Sequence, residues 1–479
     1  MNRYTAFPVF TIVAAAILGL IFWWPPAGAP TTVDIDENTR FQTIDGWGVY
    51  PRYWEDDKIG DRFDRSFEPY TEEVSRVLVD EVGINSVRVE IWSGLENPVD
   101  YWLPHYEGSL SYEDYAPVRY EKINDNDDPY SVDPAGFQFS KFDHRMESMT
   151  LPIKQAMEAR GEKLHINVNY VDFSWGGKMR QGSLNHAENP EEFAEFVLVF
   201  FERLRDKYGI VPDAFEVILE PENTASWRGP EIGRGLIAVA RRLAENGFTP
   251  EIIAPSNTAM IGAIRYFDEM IEVEGVGDYL DTFAYHRYGT QTRELVEDIR
   301  RRAEAHNLKT AMLEWIGGDI DVLLEDLTVG HVSSWQQWAA AGRKKDGDRG
   351  GFYTLVDTEA SGFPRVQMND LSYQLSQVFL FVRRGAVRVD ARSDNPDKTS
   401  VAFINRDGGR VVVVRAKKAG APVTVNGLPA GQYGVRFVDD LRNTEQLPPV
   451  TISGDEALQF DMPRPGVATV YTLKPEPVS

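Results

Sequence analysis

From Val33 to about Asp357, short apolar runs alternate with segments in which apolar residues recur every third or fourth position. The runs are Thr43–Val49, Ser86–Trp92, Leu164–Tyr170, Ala214–Glu220, Glu251–Ser256, Asp281–Tyr288, Lys309–Trp315 and Gly351–Asp357. Most are rich in β-branched and aromatic residues, as strands are when a parallel sheet is covered on both faces. The segments between them read as amphipathic helices. Asn189-Pro190 supplies a cap and a first-turn proline, after which Phe193, Val197, Phe200 and Leu204 keep one face apolar. Ile232, Leu236, Val239 and Leu243 repeat that spacing, and Gly247 stands where the helix should end. Asp370–Arg383 supplies the last helix. Eight strands alternating with helices predict an α/β protein, a (β/α)8 TIM barrel over residues 42–384.

After Val387 the pattern changes. Ser400–Asn405 and Arg410–Arg415 are short β-type runs around the turn Arg406-Asp407-Gly408-Gly409, with further turn signals at Asn426-Gly427 and Pro429-Ala430-Gly431. This predicts a small C-terminal β-sandwich over residues 385–479. The segment 31–41 precedes the barrel and is expected to pair into that β-domain, stapling the two ends of the chain together. Ahead of it, Phe7–Trp24 is an uncharged, mostly apolar run behind Arg3, closed by Trp23-Trp24. Its length suits a bilayer core and its tryptophans an interfacial belt, so residues 1–30 read as a transmembrane signal anchor. A long cleaved signal peptide is the other reading, with Ala27-Gly28-Ala29 as the cleavage site. Either way the body after Pro25 is expected outside the cytoplasm, tethered to the membrane or secreted.

Composition narrows the chemistry. Seventy-four acidic residues against 50 basic ones give the 479-residue chain a net charge of −24, which disfavours nucleic-acid binding. There are no cysteines, so disulfides, thiolate metal sites and cysteine nucleophiles are excluded. Eleven Trp, 20 Tyr and 25 Phe suit a sugar-binding cleft, although a large core also needs aromatics.

In such a barrel, catalytic groups stand at the C-terminal ends of strands. Glu220 ends the fourth predicted strand and Glu314 the seventh, each after an apolar run. A buried carboxylate demands a partner or a function. One account pairs each with an arginine at the barrel rim. The other makes them the two carboxylates of glycosidic cleavage, one protonating the leaving oxygen and one attacking the anomeric carbon. Glu222 is placed to raise the acid's pKa by like-charge repulsion, and Arg88 to hold Glu314 ionised.

These residues resemble clan A glycoside hydrolases, and the flanking motifs are most similar to glycoside hydrolase family 30. The motifs are Gln42-Thr43-Ile44-Asp45-Gly46-Trp47-Gly48, Val87-Arg88-Val89, Glu220-Pro221, Leu313-Glu314-Trp315, and the passage from Gln377 to Val389 that leads into Ser400–Gly408. The resemblance covers nearly everything after Val33. It implies Glu220 as acid/base, Glu314 as nucleophile, retention of configuration, and a carbohydrate substrate such as a xylan, a β-1,6-linked glucan or galactan, or a glucosylated lipid. It also places His286 and Tyr288 beside the substrate and the nucleophile. One position departs from the family pattern. The Asn that usually precedes the acid/base and contacts the 2-hydroxyl is Leu219 here, with Asn169 and Asn223 as possible substitutes. That departure leaves Glu222 open as the acid. It also leaves open a rival function, a membrane-tethered glycan-binding protein on a degenerate barrel.

Trp47, Tyr170, Trp175, Trp227 and Trp315 lie at or just beyond strand ends, where they could stack on sugar rings or simply pack the rim. No cofactor or metal is called for. Asn124-Asp125-Asn126-Asp127-Asp128 lacks the glycine and distal glutamate of an EF-hand loop and is expected to be a solvated acidic turn. Gly233-Arg234-Gly235-Leu236-Ile237-Ala238 matches a dinucleotide fingerprint but falls in or beside a helix, away from a strand end.

Overall fold

The computed structural model describes residues 28–53, 67–174, 184–344, 351–454 and 456–473. The run Phe7–Trp24 and Trp175 lie outside them. Among the described residues, no helix is long and apolar enough to cross a membrane.

A long strand β1 (Thr31–Thr43) leads into the barrel. The barrel strands are β2 (Gly46–Tyr53), β3 (Ser86–Trp92), β4 (His165–Val171), β5 (Ala214–Glu216), β6 (Glu251–Asn257), β7 (Leu280–His286), β8 (Lys309–Glu314) and β9 (Val332–Arg343). Each pairs in parallel with the next, and β9 closes the ring by pairing with both β8 and β2. Helices cover the outside. The helix Pro190–Tyr208 buries Phe193, Val197, Phe200 and Leu204, and the helix Gly229–Glu245 contains the fingerprint-like segment, so no strand feeds a phosphate into it.

Two strands differ from the sequence expectation. The eighth barrel strand is β9, whereas Gly351–Asp357 becomes β10 (Phe352–Val356), laid beside the later half of β9 from Ala339 to Arg343. A short β11 (Val366–Met368) then pairs antiparallel with β10. The sequence of β9 hid it. Ser333, Gln336 and Gln337 are buried polar residues that interrupt the first half of the strand, and its apolar run begins only at Trp338. The fourth strand is regular only to Glu216. Beyond it Val217 N–H bonds Ile253 O, Leu219 N–H bonds Tyr170 O and Glu220 N–H bonds Ser256 O, which keeps the chain against both neighbours as far as Glu220.

The remaining strands are β12 (Val387–Ser393), β13 (Lys398–Ile404), β14 (Arg410–Ala416), β15 (Pro422–Asn426), β16 (Gly431–Asp439), β17 (Thr444–Ile452), β18 (Leu458–Asp461) and β19 (Gly466–Thr472). With β1 they form one sheet in the order β17-β16-β19-β14-β13-β12-β1-β15-β18. The sheet curls until its outer strands β17 and β18 meet, enclosing a core that includes Val33, Val412, Val425, Phe437 and Val470. It is a sandwich made from a single folded sheet. β1 lies antiparallel to β12 and parallel to β15. Two bonds, Ile44 N–H to Ala386 O and Gly385 N–H to Ile44 O, fix the sheet to the foot of the barrel.

Candidate active site

Side chains alternate across a strand, so one outward residue identifies its inward neighbours. On β4, Tyr170 packs outward against Phe193, Phe196 and Trp227, which turns Asn167 and Asn169 toward the barrel axis. Arg88 on β3 bonds Glu314 on β8, a reach across the ring that only inward side chains achieve. Gln336 on β9 also points in. A Cβ on Gly48 would lie 2.6 Å from its Oε1, so the glycine of Gly46-Trp47-Gly48 makes the room that Gln336 occupies.

Glu220 has left-handed backbone angles, φ 45° and ψ 63°, which cost a non-glycine residue roughly 1–3 kcal/mol. That conformation ends the strand and starts the single turn Pro221–Asn223, so that Asn223 Nδ2 donates back to Glu220 Oε2 at 2.8 Å. Glu220 Oε1 lies 3.1 Å from His286 Nδ1 at the end of β7. Glu314 has different company. Its Oε2 takes the Arg88 guanidinium and its Oε1 accepts from Tyr288 Oη at 3.0 Å. Burial drives the Glu314 carboxyl upward, but the charges of Arg88 and His286 and the bonds from Arg88 and Tyr288 outweigh it, holding Glu314 below its ordinary range. Burial and Glu314 together push the Tyr288 phenol up, so it remains a donor. Burial lowers the His286 imidazole, and the bond to Glu220 and the two carboxylates more than restore it.

Beneath these groups lies a polar floor that sequence reasoning missed. Glu216 accepts from Ser256 Oγ at 2.6 Å and from Asn167 Nδ2 at 3.0 Å. Glu90, raised by burial and eased by Arg88, hydrogen-bonds Tyr50. The signal was present as Arg88-x-Glu90 and Asn167-x-Asn169, polar residues at every second place of otherwise apolar strands. Above the floor several buried polar atoms have no partner among the described residues: both amide atoms of Asn169, Gln336 Nε2 and His286 Nε2. Unpaired buried groups of this kind are destabilising unless a ligand or water meets them.

The predicted residues therefore divide. Glu220, Glu314, Arg88, Asn169, Asn223, His286 and Tyr288 converge at one end of the barrel, whereas half-buried Trp315 sits beside the Arg287 guanidinium, which pairs with Glu325 and Asp326. Of the two proposed stand-ins for the residue replaced by Leu219, Asn223 is committed to Glu220 and Asn169 has its amide free. Glu222 turns away, its Oε2 accepting from Thr258 N and Oγ1 at 3.2 and 3.3 Å, so it does not serve as the like-charge neighbour of Glu220.

Trp47 and Tyr170 are corrections. Both are fully buried on the outside of the ring. Trp47 stacks on Phe379 at 4.8 Å and donates Nε1 to Val382 O, while Tyr170 bonds His186 Nδ1 at 2.7 Å. Trp227, bonded to Asp172, packs with Tyr170. Strand-end position alone did not distinguish the two faces. Trp47→Ala should accordingly act on stability, lowering it by about 3–5 kcal/mol in urea unfolding. Wild-type stability in that variant would refute the core placement.

An oxygen of Glu220, a ring nitrogen of His286 and an oxygen of Glu314 lie within 4.8 Å of one another, close enough to share a metal ion. The donors Arg88, Tyr288 and Asn223 already occupy their carboxylate oxygens, and the Arg88 charge competes with any cation there. The arrangement suits proton transfer and carboxylate attack.

The sequence matches no protein-family model and no curated protein. Solved structures do match. The catalytic domain of a family 30 xylanase C from Talaromyces cellulolyticus superposes with a TM-score of 0.67 at 13% identity, covering 92% of this chain and 100% of that one. A family 30 subfamily 8 xylanase from Clostridium acetobutylicum gives 0.62 at 15% identity, over 92% and 99% of the two chains. An endo-β-1,6-glucanase gives 0.61 at 16% identity, over 92% and 95%. Barrel and curled sheet together, the chain has the fold of the family 30 glycoside hydrolase structures.

Proposed function

We propose that this protein is a retaining glycoside hydrolase that cleaves β-glycosidic bonds in a polysaccharide of the xylan, β-1,6-glucan or galactan type. One observation carries the reading: Glu220 and Glu314 present carboxyl oxygens within 4.8 Å of each other, in unlike surroundings. Retaining enzymes hold their two carboxyls about 5–5.5 Å apart, and inverting ones about 6.5–9.5 Å. In the first step Glu314, held ionised by Arg88, attacks the anomeric carbon while Glu220 gives its proton to the departing glycosidic oxygen. In the second, Glu220 takes a proton from water as that water attacks the same carbon and releases Glu314. The unpaired amide of Asn169 is the group available for sugar hydroxyls in place of the residue lost at Leu219. The likeness to the xylanases and the β-1,6-glucanase supports the substrate class.

The test is incubation of the purified protein with a panel of β-linked glycans, the first-formed anomer being read by NMR. A β-anomer is expected. An α-anomer would sink the retaining mechanism, and binding without turnover would favour the glycan-binding alternative. Glu220→Gln should depress hydrolysis of natural glycans by about 10²–10⁴-fold. It should spare the first step on aryl glycosides with good leaving groups, and azide should restore turnover. Equal losses on both substrates would remove Glu220 from the acid role. We also place the catalytic body outside the cytoplasm, on the strength of Arg3 and the apolar run Phe7–Trp24. Protease accessibility on intact cells checks that placement.

A further inference from the structure

We propose a divalent cation site, selective for Ca²⁺, between Asp125 of the long loop after β3 and Glu192 and Glu195 of the helix Pro190–Tyr208. The three residues each offer a carboxylate oxygen within 4.8 Å of the others. Ca²⁺ accepts carboxylate oxygens in flexible, irregular arrangements, whereas Mg²⁺ demands a near-ideal octahedron, which favours Ca²⁺ at a site built from a loop and a helix. Glu192 and Glu195 are one helical turn apart, so they point the same way, toward the loop.

The independent observation is Glu195 itself. It is 1% exposed, yet its Oε1 has no hydrogen-bond partner. Glu192 Oε2 and the side-chain oxygen of Asn124 are likewise buried without a donor. Glu192 also hydrogen-bonds the side chains of Asn124 and Glu195, which gathers these acceptors at one place. No lysine or arginine forms an ion pair with Asp125, Glu192 or Glu195 among the described residues. The nearest cations are engaged elsewhere, Arg242 with Pro129 O and Glu191, and Lys122 with Asp172. Buried Glu96, bonded to His186, adds another carboxyl to the neighbourhood. The contrast with the catalytic trio is chemical. The catalytic trio includes a ring nitrogen and lies against the Arg88 charge, whereas here the set is all oxygen and acidic, with Asp125 held in place by Asn126 and Asp133 N–H groups, which is the donor set of a hard cation.

The chain alone does not stabilise such a site. Asp125, Glu192 and buried Glu195 gather carboxyls at one place, and a bound cation would supply the missing counter-charge. It also ties the loop to the barrel. Asp125 lies in the loop segment whose flanks meet buried Glu96 and Leu95, through Ile123 N–H to Glu96 O and Gln138 N–H to Leu95 O. The acidic stretch read as a solvated turn is on this view half of a metal site, completed by a helix some 65 positions further on.

The test uses the full chain after EDTA treatment, titrated with CaCl₂ by calorimetry and melted with and without 5 mM Ca²⁺, roughly the range of weak calcium modules. We expect one site with a Kd between about 1 µM and 1 mM, a melting temperature raised by about 3–8 °C, and weaker binding of MgCl₂. Binding should vanish in Glu195→Gln and in Asp125→Asn, the second guarding against a folding defect in the first. It should persist in Glu314→Gln. No heat of binding would mean that Glu192 and Glu195 share a proton instead, and would overturn the proposal. Binding lost in Glu314→Gln but kept in Glu195→Gln would overturn it too, by moving the ion to the catalytic trio. The readouts are independent of glycoside hydrolysis, so failure of either reading leaves the other standing.

Discussion

Glu314→Gln should yield a folded protein that hydrolyses β-glycosides at least about 10⁴-fold more slowly, with no covalent intermediate trapped by a 2-fluoro glycoside. The substitution keeps the size of the side chain and removes its charge. Tyr288 can still donate to the amide oxygen, and the amide cannot attack the anomeric carbon. Intact-protein mass after trapping is the direct measurement: wild type should gain one glycosyl unit on the β8 peptide and the variant none. Labelling of another carboxylate, or wild-type rates in Glu314→Gln, would remove Glu314 from the nucleophile role. A structural account, in which Glu314 merely pairs with Arg88, predicts lost stability and retained turnover.

Arg88→Met should damage both stability and pH dependence, because Arg88 is the counter-charge for a carboxylate with only 6% of its surface exposed. Removing one partner of a buried pair commonly costs about 3–5 kcal/mol, since the remaining charge stays desolvated. The sign follows from the present balance. Glu314 titrates below its ordinary 4.5 in the folded protein, so its contribution to stability is full above that value and is lost as pH falls through the folded value. In Arg88→Met burial prevails and the carboxyl rises. The stability gap between wild type and variant should therefore be widest near neutrality and shrink in acid. If Glu314 must be ionised to attack, the acid limb of kcat/KM should move to higher pH in the variant. An acid limb that stays put would show that Arg88 does not set the ionisation of Glu314.

The two glutamates were legible because an acidic residue closing an apolar strand has few explanations, and Glu220 and Glu314 both met that description. Arg88 was legible for the same reason. The tryptophans were not. Trp47 stands at a strand end like the catalytic glutamates, but its ring faces the helices, and a shift of a single residue in a strand reverses its face. The eighth strand was misplaced because β9 buries Gln336 toward the axis and Gln337 on its other face, and a strand that buries amides looks like a loop when only apolar runs are counted. Asp125 looked like surface because the helix that faces it lies far along the chain.

What the sequence by itself determined was everything carried by local periodicity and chemistry: alternating strands and helices, a β-rich end, an acidic chain without thiols, and two carboxylates at strand ends. Only the tertiary structure decided which side of each strand faces the axis, that β9 and not β10 closes the ring, that Glu222 turns to Thr258 and leaves Glu220 to His286 and Asn223, and that Asp125 meets Glu192 and Glu195. The physical reason is range. Backbone preference and amphipathicity act over a few residues, whereas the ionisation of a buried carboxylate depends on charges a few ångströms away that closure of the barrel brings from strands more than two hundred residues apart.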